Sequence, residues 1–143
     1  MTRSFFVPLQ APSLNKLQVS YDGRGRWRIV NLKRAWAVWI PPLLQRQRAK
    51  GPVRLTVTRF YRGRGCKAYD LDNFVGGLKP IIDLLKAKAA GYIVDDNPRM
   101  LELVPRQQHA VIGEAVGTLF EFEEIAAVGC KPAAPFVSHL GSC

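Results

Sequence analysis

Val53–Tyr61 is the segment that most restricts the fold. In VRLTVTRFY, Val53, Leu55 and Val57 alternate with Arg54, Thr56 and Thr58, the period-two pattern of a strand with one buried face. The alternation slips near its end, where Arg59 is polar and Phe60 apolar. Behind this strand comes a basic, glycine-broken loop, Arg62–Lys67 (RGRGCK), then Asp70-Leu71-Asp72-Asn73, then a long helical pattern that stops before Gly91. Gly76-Gly77 and Pro80 leave two starts open for that helix: near Gly77 with Pro80 in the first turn, or at Asn73 with a kink at Pro80.

The remaining elements fall around this pair. Ser4–Leu9 reads as a first strand and Ala11–Asn15 as a loop or turn. Asp22–Arg28 (DGRGRWR) reads as an exposed basic loop. Asn31–Ile40 has helical spacing, with Leu32, Ala35, Trp36 and Trp39 on one side. Pro41-Pro42 ends or kinks that helix, and Leu43–Lys50 resumes it. Tyr92-Ile93-Val94 leads into a turn at Asp95–Pro98, and Leu101–Val104 and Val116–Phe122 read as two further strands. The order β, α, β, α, β, β predicts an α/β (α+β) sandwich rather than a doubly wound sheet. With 143 residues, 48% of them hydrophobic, the chain has enough for one core. We expect one domain over residues 1–125 and a mobile or loosely docked tail over 126–143.

Twenty-one Lys and Arg stand against 11 Asp and Glu, a formal net charge of +10. That excess points to a polyanionic partner held by salt-sensitive phosphate contacts. Cys66, Cys130 and Cys143 are odd in number and widely spaced, which argues against a disulfide framework or a structural zinc site and fits a reducing cytoplasm. No apolar run reaches the roughly 18 residues of a membrane span, and no export signal is read at the N-terminus.

Against this basic background the acids cluster. Asp70 and Asp72, with Asp83, Asp95 and Asp96 after them, hold much of the chain's scarce negative charge, and Lys79 lies among them. Neighbouring carboxylates repel unless a cation offsets them, and Mg²⁺ takes one or two carboxylates while leaving room for substrate phosphates. In an extended segment Asp70 and Asp72 point the same way. Asn73 caps the following helix or adds a neutral oxygen ligand. Lys79 comes seven residues after Asp72 and four before Asp83, so a continuous helix keeps the three on one face. There Lys79 either stabilises charge on a phosphate in the transition state or pairs with Asp83. Arg62, Arg64 and Lys67 lead directly into the acids, and Arg24, Arg26 and Arg28 form a second basic patch. Both patches are candidates for holding flanking phosphates. Trp27, Trp36 and Trp39 belong to the core, to an interface, or to base stacking.

The series Ala11-Pro12-Ser13-Leu14-Asn15, Tyr69-Asp70-Leu71-Asp72-Asn73, Phe74–Asp83 (FVGGLKPIID) and Gly91–Asp96 (GYIVDD) resembles the RusA family of Holliday junction resolvases, especially its phage and prophage branch. The likeness runs in order from about Phe5 to Phe122. It implies a small mixed sheet with flanking helices, a homodimer, and Mg²⁺-dependent symmetrical nicking of four-way DNA junctions, with Mn²⁺ a possible substitute. It implies Asp70, Asp72 and Asp96 as metal ligands, Lys79 as the essential lysine, and Asn15 near the active face. This chain departs from the shortest family pattern by about three extra residues, Gly76-Gly77 among them, between DLDN and the lysine. Three other readings stay open. One is a non-catalytic protein that binds nucleic acid by charge, its acids serving as caps; another is a nuclease of broader taste that also cuts flaps or forks; the third is a degenerate prophage remnant, folded and dimeric but inactive.

Overall fold

Val53–Tyr61 forms its strand in full and lies inside a four-stranded sheet. The computed structural model describes residues 2–17, 24–63 and 67–126. Within them the strands are β1 (Thr2–Val7), β2 (Val53–Tyr61), β3 (Leu101–His109) and β4 (Gly117–Glu124), in the spatial order β1-β4-β2-β3. The helices are α1 (Leu14–Leu17), α2 (Arg24–Ala37) and α3 (Leu71–Leu85), with a 3₁₀ turn at Gln45–Gln47. β4 runs antiparallel to both β1 and β2, whereas β2 and β3 are parallel neighbours joined through α3. A parallel pair cannot be closed by a hairpin, so the long helix serves as the crossover. This is a mixed α+β fold, as the order of elements predicts.

The register explains which face is covered. Leu55 lies opposite Phe122 and Leu103, and Val57 lies opposite Phe120. These side chains meet Trp36 from α2 and Phe74, Leu78, Ile81 and Leu85 from α3 in one core. The α3 residues recur at steps of four, three and four, the apolar stripe of a helix lying on a sheet. Trp36 sets its ring edge-on to Phe120 at 6.0 Å between centroids. On the other face Arg54 stands between its register partners Glu102 and Glu123 and binds both, at 2.6 and 3.1 Å.

Several boundaries differ from the sequence reading. Helix α2 begins at Arg24, so Arg24, Arg26 and Arg28 belong to a helix rather than to an exposed loop. Trp36 and Leu32 face the core, but Ala35 is exposed, and Trp39, past the helix end, is 48% exposed. Leu43–Lys50 makes only the single 3₁₀ turn instead of a resumed helix. Ala11–Asn15 carries the start of the one-turn α1. β3 continues to His109, five residues past the expected end, because pairing with β2 holds it along its whole length. Helix α3 starts at Leu71, earlier than either expected start, and passes through Pro80. Arg64, Cys66 and all but the first residue of the tail lie outside the described residues. No helix among the described residues is long and apolar enough to cross a membrane.

Gly77 explains how the loop before α1 reaches α3. A Cβ at this position would run into the backbone carbonyl of Pro12. Glycine therefore lets α3 sit directly on Pro12-Ser13, and the backbone N–H of Asn15 then donates to Asn73 Oδ1 at 2.9 Å. The Gly-Gly pair and the Pro-Ser-Leu-Asn loop, far apart in sequence, form one packed joint at the head of α3.

Candidate metal and nucleic-acid site

Asp70 is the N-cap of α3. Its backbone is extended (φ −64°, ψ 160°) and its Oδ1 accepts the Asn73 N–H at 2.8 Å. The helix begins at once, so Asp72 occupies the first helical turn and not a strand beside Asp70. The expected extended geometry of the pair is replaced by cap and helix geometry. The first-turn N–H groups and the helix dipole favour negative charge there. Both acids are exposed, and neither has an ion-pair partner within 4.0 Å among the described residues. In a chain with 21 cationic side chains that isolation is notable. Among the described residues, Asp70 Oδ2 and both oxygens of Asp72 are left without a protein donor.

Lys79 is exposed on the same helix. Because α3 is continuous, Asp72, Lys79 and Asp83 fall within about 40° of one another around its axis. Lys79 does not pair with Asp83. Asp83 instead takes Lys33 of α2 at 3.2 Å and Lys86 at 3.1 Å. Burial pushes the Asp83 carboxyl up, but hydrogen bonds from Lys86 and Lys33 outweigh it and hold the group below the usual carboxylate range.

Lys86 also reaches Asp96 at 3.2 Å and Asp95 at 3.9 Å. Its hydrogen bonds to Asp83 and Asp96 raise its pKa above the ordinary lysine value. Asp95 accepts the Asp96 N–H at 2.8 Å and the Asn97 amide at 3.0 Å, and these bonds hold its carboxyl low.

The structure thus sorts the acids into two places. Asp70 and Asp72 stand at the start of α3, where β2 delivers the chain. Asp83, Asp95 and Asp96 gather about Lys86 at the other end, where the chain enters β3. Asp72 and Asp83 are eleven residues apart, about 16 Å along the axis. A crossover helix carries the chain from one end of the sheet back to the other, so residues at its head are held away from residues beyond its tail. Asp96 is therefore not brought to Asp70 and Asp72, and no group of three or more His, Cys, Asp or Glu is arranged to hold a metal among the described residues. Asp70 and Asp72 fit Mg²⁺ as far as donor chemistry goes, because that ion is content with one or two carboxylates, with water completing its shell.

The basic candidates also divide. Lys67 is exposed just ahead of Asp70. Arg62 turns towards the β3–β4 connection, donating to the carbonyls of Val111 and Glu114 at 3.3 and 3.4 Å. Arg26 and Arg28 are exposed on α2, about 200° apart around the helix, so they do not share a face. Three residues escaped the sequence reading. Lys86 gathers the second acid group, and its position three residues after Asp83 was the available signal. Arg59 lies on the covered face of β2 at 2% exposure, and its signal was the slip in alternation at the strand end. Lys16 comes directly after Asn15 on α1 and had no signal beyond its charge. No protein-family model matches the chain, and no curated protein matches it.

Proposed function

We propose that the chain is a Mg²⁺-dependent endodeoxyribonuclease that nicks branched DNA, four-way junctions above all, as a homodimer. The observation that carries this reading is the exposed carboxylate pair Asp70 and Asp72, unpaired among the described residues, at a helix head of a protein with net charge +10. Such a pair offers oxygen ligands to a hard cation. The preference for four-way junctions rests on the resemblance to the RusA resolvases. Asp70 and Asp72 would hold the ion, which when bound supplies charge neutralisation at a phosphate and an activated water. Lys79, two turns along the same face, brings positive charge toward the same strand. Lys67 meets the backbone flanking the cut. Asn15 is fixed at the helix head through Asn73 and helps shape that edge. Asp96 is tied to Lys86, so its part in the reaction is a separate question, answered by Asp96→Asn.

The rival reading, a non-catalytic binder of nucleic acid, draws on one observation: Asp70 already has a structural task as the α3 cap. A synthetic four-way junction and a linear duplex of the same sequence separate the two. Each is incubated with wild-type protein and with Asp72→Asn, in Mg²⁺ and in EDTA. Paired nicks on the junction only, dependent on Mg²⁺ and on Asp72, are expected. Binding without cutting in every lane would sink the nuclease and leave the rival.

A further inference from the structure

A cleft opens beside the head of α3, with Lys16, Arg59 and Lys67 in its wall together with Gln10 and Tyr69. Among the described residues, three cations line it and no carboxylate does. At about 440 Å³ it falls within the roughly 300–1,000 Å³ of ordinary ligand clefts.

Arg59 makes this cleft unusual. Its side chain is only 2% exposed, yet no carboxylate lies within 4.0 Å of it among the described residues. The guanidinium donates to three neutral oxygens: Gln10 Oε1 at 3.0 Å, Gln107 Oε1 at 3.1 Å and the Lys67 carbonyl at 3.4 Å. Its Nε is buried with no partner among the described residues. It lies over the ring of Tyr69 at 3.7 Å and that of Tyr61 at 4.9 Å. Aromatic faces offset part of the charge, but a buried cation without an anion remains costly. Gln107 holds Tyr69 in place, accepting its N–H and donating to its carbonyl, both at 2.8 Å. These bonds build the site, and among the described residues they bring no anion to Arg59.

We propose that this cleft is a phosphate subsite, occupied by a backbone phosphate of the DNA strand that passes Asp70 and Asp72. The inference rests on the nuclease reading above and adds where the strand is gripped. Two connections tie the cleft to the acids. Tyr69, in its wall, is the residue before Asp70, and Lys16 is the neighbour of Asn15, whose N–H is bonded to Asn73 of the helix head. A phosphate in the cleft sets the neighbouring phosphodiester near the carboxylate pair. Arg59 supplies a fixed charge behind the anion, while exposed Lys16 and Lys67 close over it from the rim.

The test is junction binding by protein carrying Asp72→Asn, in EDTA so that no strand is cut, measured across salt concentrations. Lys16→Gln/Lys67→Gln is added to this parent. Both lysines are exposed, so the fold is expected to persist, as circular dichroism checks. Loss of the one phosphate held in the cleft should flatten the slope of log K against log salt by about 0.9 on duplex arms. A charge-matched pair remote from the cleft, Lys50→Gln/Lys88→Gln, should leave the slope in place, and Lys16→Arg/Lys67→Arg should retain it. A full slope in the Lys16/Lys67 variant, or an equal drop in the remote pair, overturns the subsite and leaves the nuclease standing. No salt-dependent binding by the parent overturns both.

Discussion

Asp70 has two tasks that one substitution can separate. It caps α3 through Asn73 N–H, and it offers a carboxylate oxygen to solvent. Asparagine caps nearly as well as aspartate but binds a hard cation poorly. Asp70→Asn is therefore expected to keep its melting temperature and lose Mg²⁺-dependent nicking, whereas Asp70→Ala loses both, at about 1 kcal/mol of stability. Denaturant titration beside the junction assay checks this. If Asp70→Asn nicks at the wild-type rate, Asp70 is a cap only. At the other acid group, pH is the probe. The Asp83 pKa is depressed in the folded protein, so its contribution is present above about pH 4 and fades as pH falls through the folded value. The Lys86 pKa is raised, so its contribution is present below about pH 10 and fades as pH climbs through the folded value. The melting temperature should hold between those limits and fall outside them. Asp83→Asn should flatten the acid limb, and an unchanged limb would show the pairing to be idle.

Helix α3 depends on two glycines that do different work. At Gly76 an added Cβ meets the side chain of Leu14, whose Cδ2, the nearest atom, can turn away. At Gly77 it meets the backbone of Pro12, which cannot move without the whole loop. Gly77→Ala should cost roughly 1–3 kcal/mol, as other overpacked contacts do, and should also impair nicking, since the loop carries Asn15 and Lys16. Gly76→Ala should cost less, because the helix gains from losing a glycine. Urea midpoints of the two variants decide it; equal midpoints would mean that the Pro12 contact is not tight. Pro80 is the converse case. It forfeits the bond to the Gly76 carbonyl, yet its ring is buried and α3 runs through it.

Net charge acts across the entire protein. For the proposed nuclease, a formal net charge of +10 predicts junction affinity that falls steeply with salt. If four phosphates are neutralised on duplex arms, raising salt from 50 to 200 mM should weaken junction binding about a hundredfold. Filter binding or fluorescence anisotropy reads this directly, and a flat profile would argue against phosphate contacts altogether.

Some pieces of this protein carry signals that are local along the chain. Val53–Tyr61 announces a strand by alternation, the stripe Phe74, Leu78, Ile81 and Leu85 is a helical period, and the excess of Lys and Arg needs no structure to be read. The α+β order comes from those patterns. The start of α3 is not legible in this way because Gly76-Gly77 and Pro80 look like breakers, and only the packing of Pro12 on Gly77 shows why glycine stands inside the helix. Pairing across the sheet is likewise beyond local reading: it alone carries β3 through Pro105 to His109 and sets Arg54 between two glutamates. Folding in three dimensions also chooses which acids are neighbours. Asp70 and Asp96 look like members of one series along the chain, but the crossover sends them to opposite ends of α3, because a parallel connection must carry the chain back to the end of the sheet where β2 began. The same folding back gives Arg59 a buried setting with no anion among the described residues, which no pattern of residues along one strand could reveal.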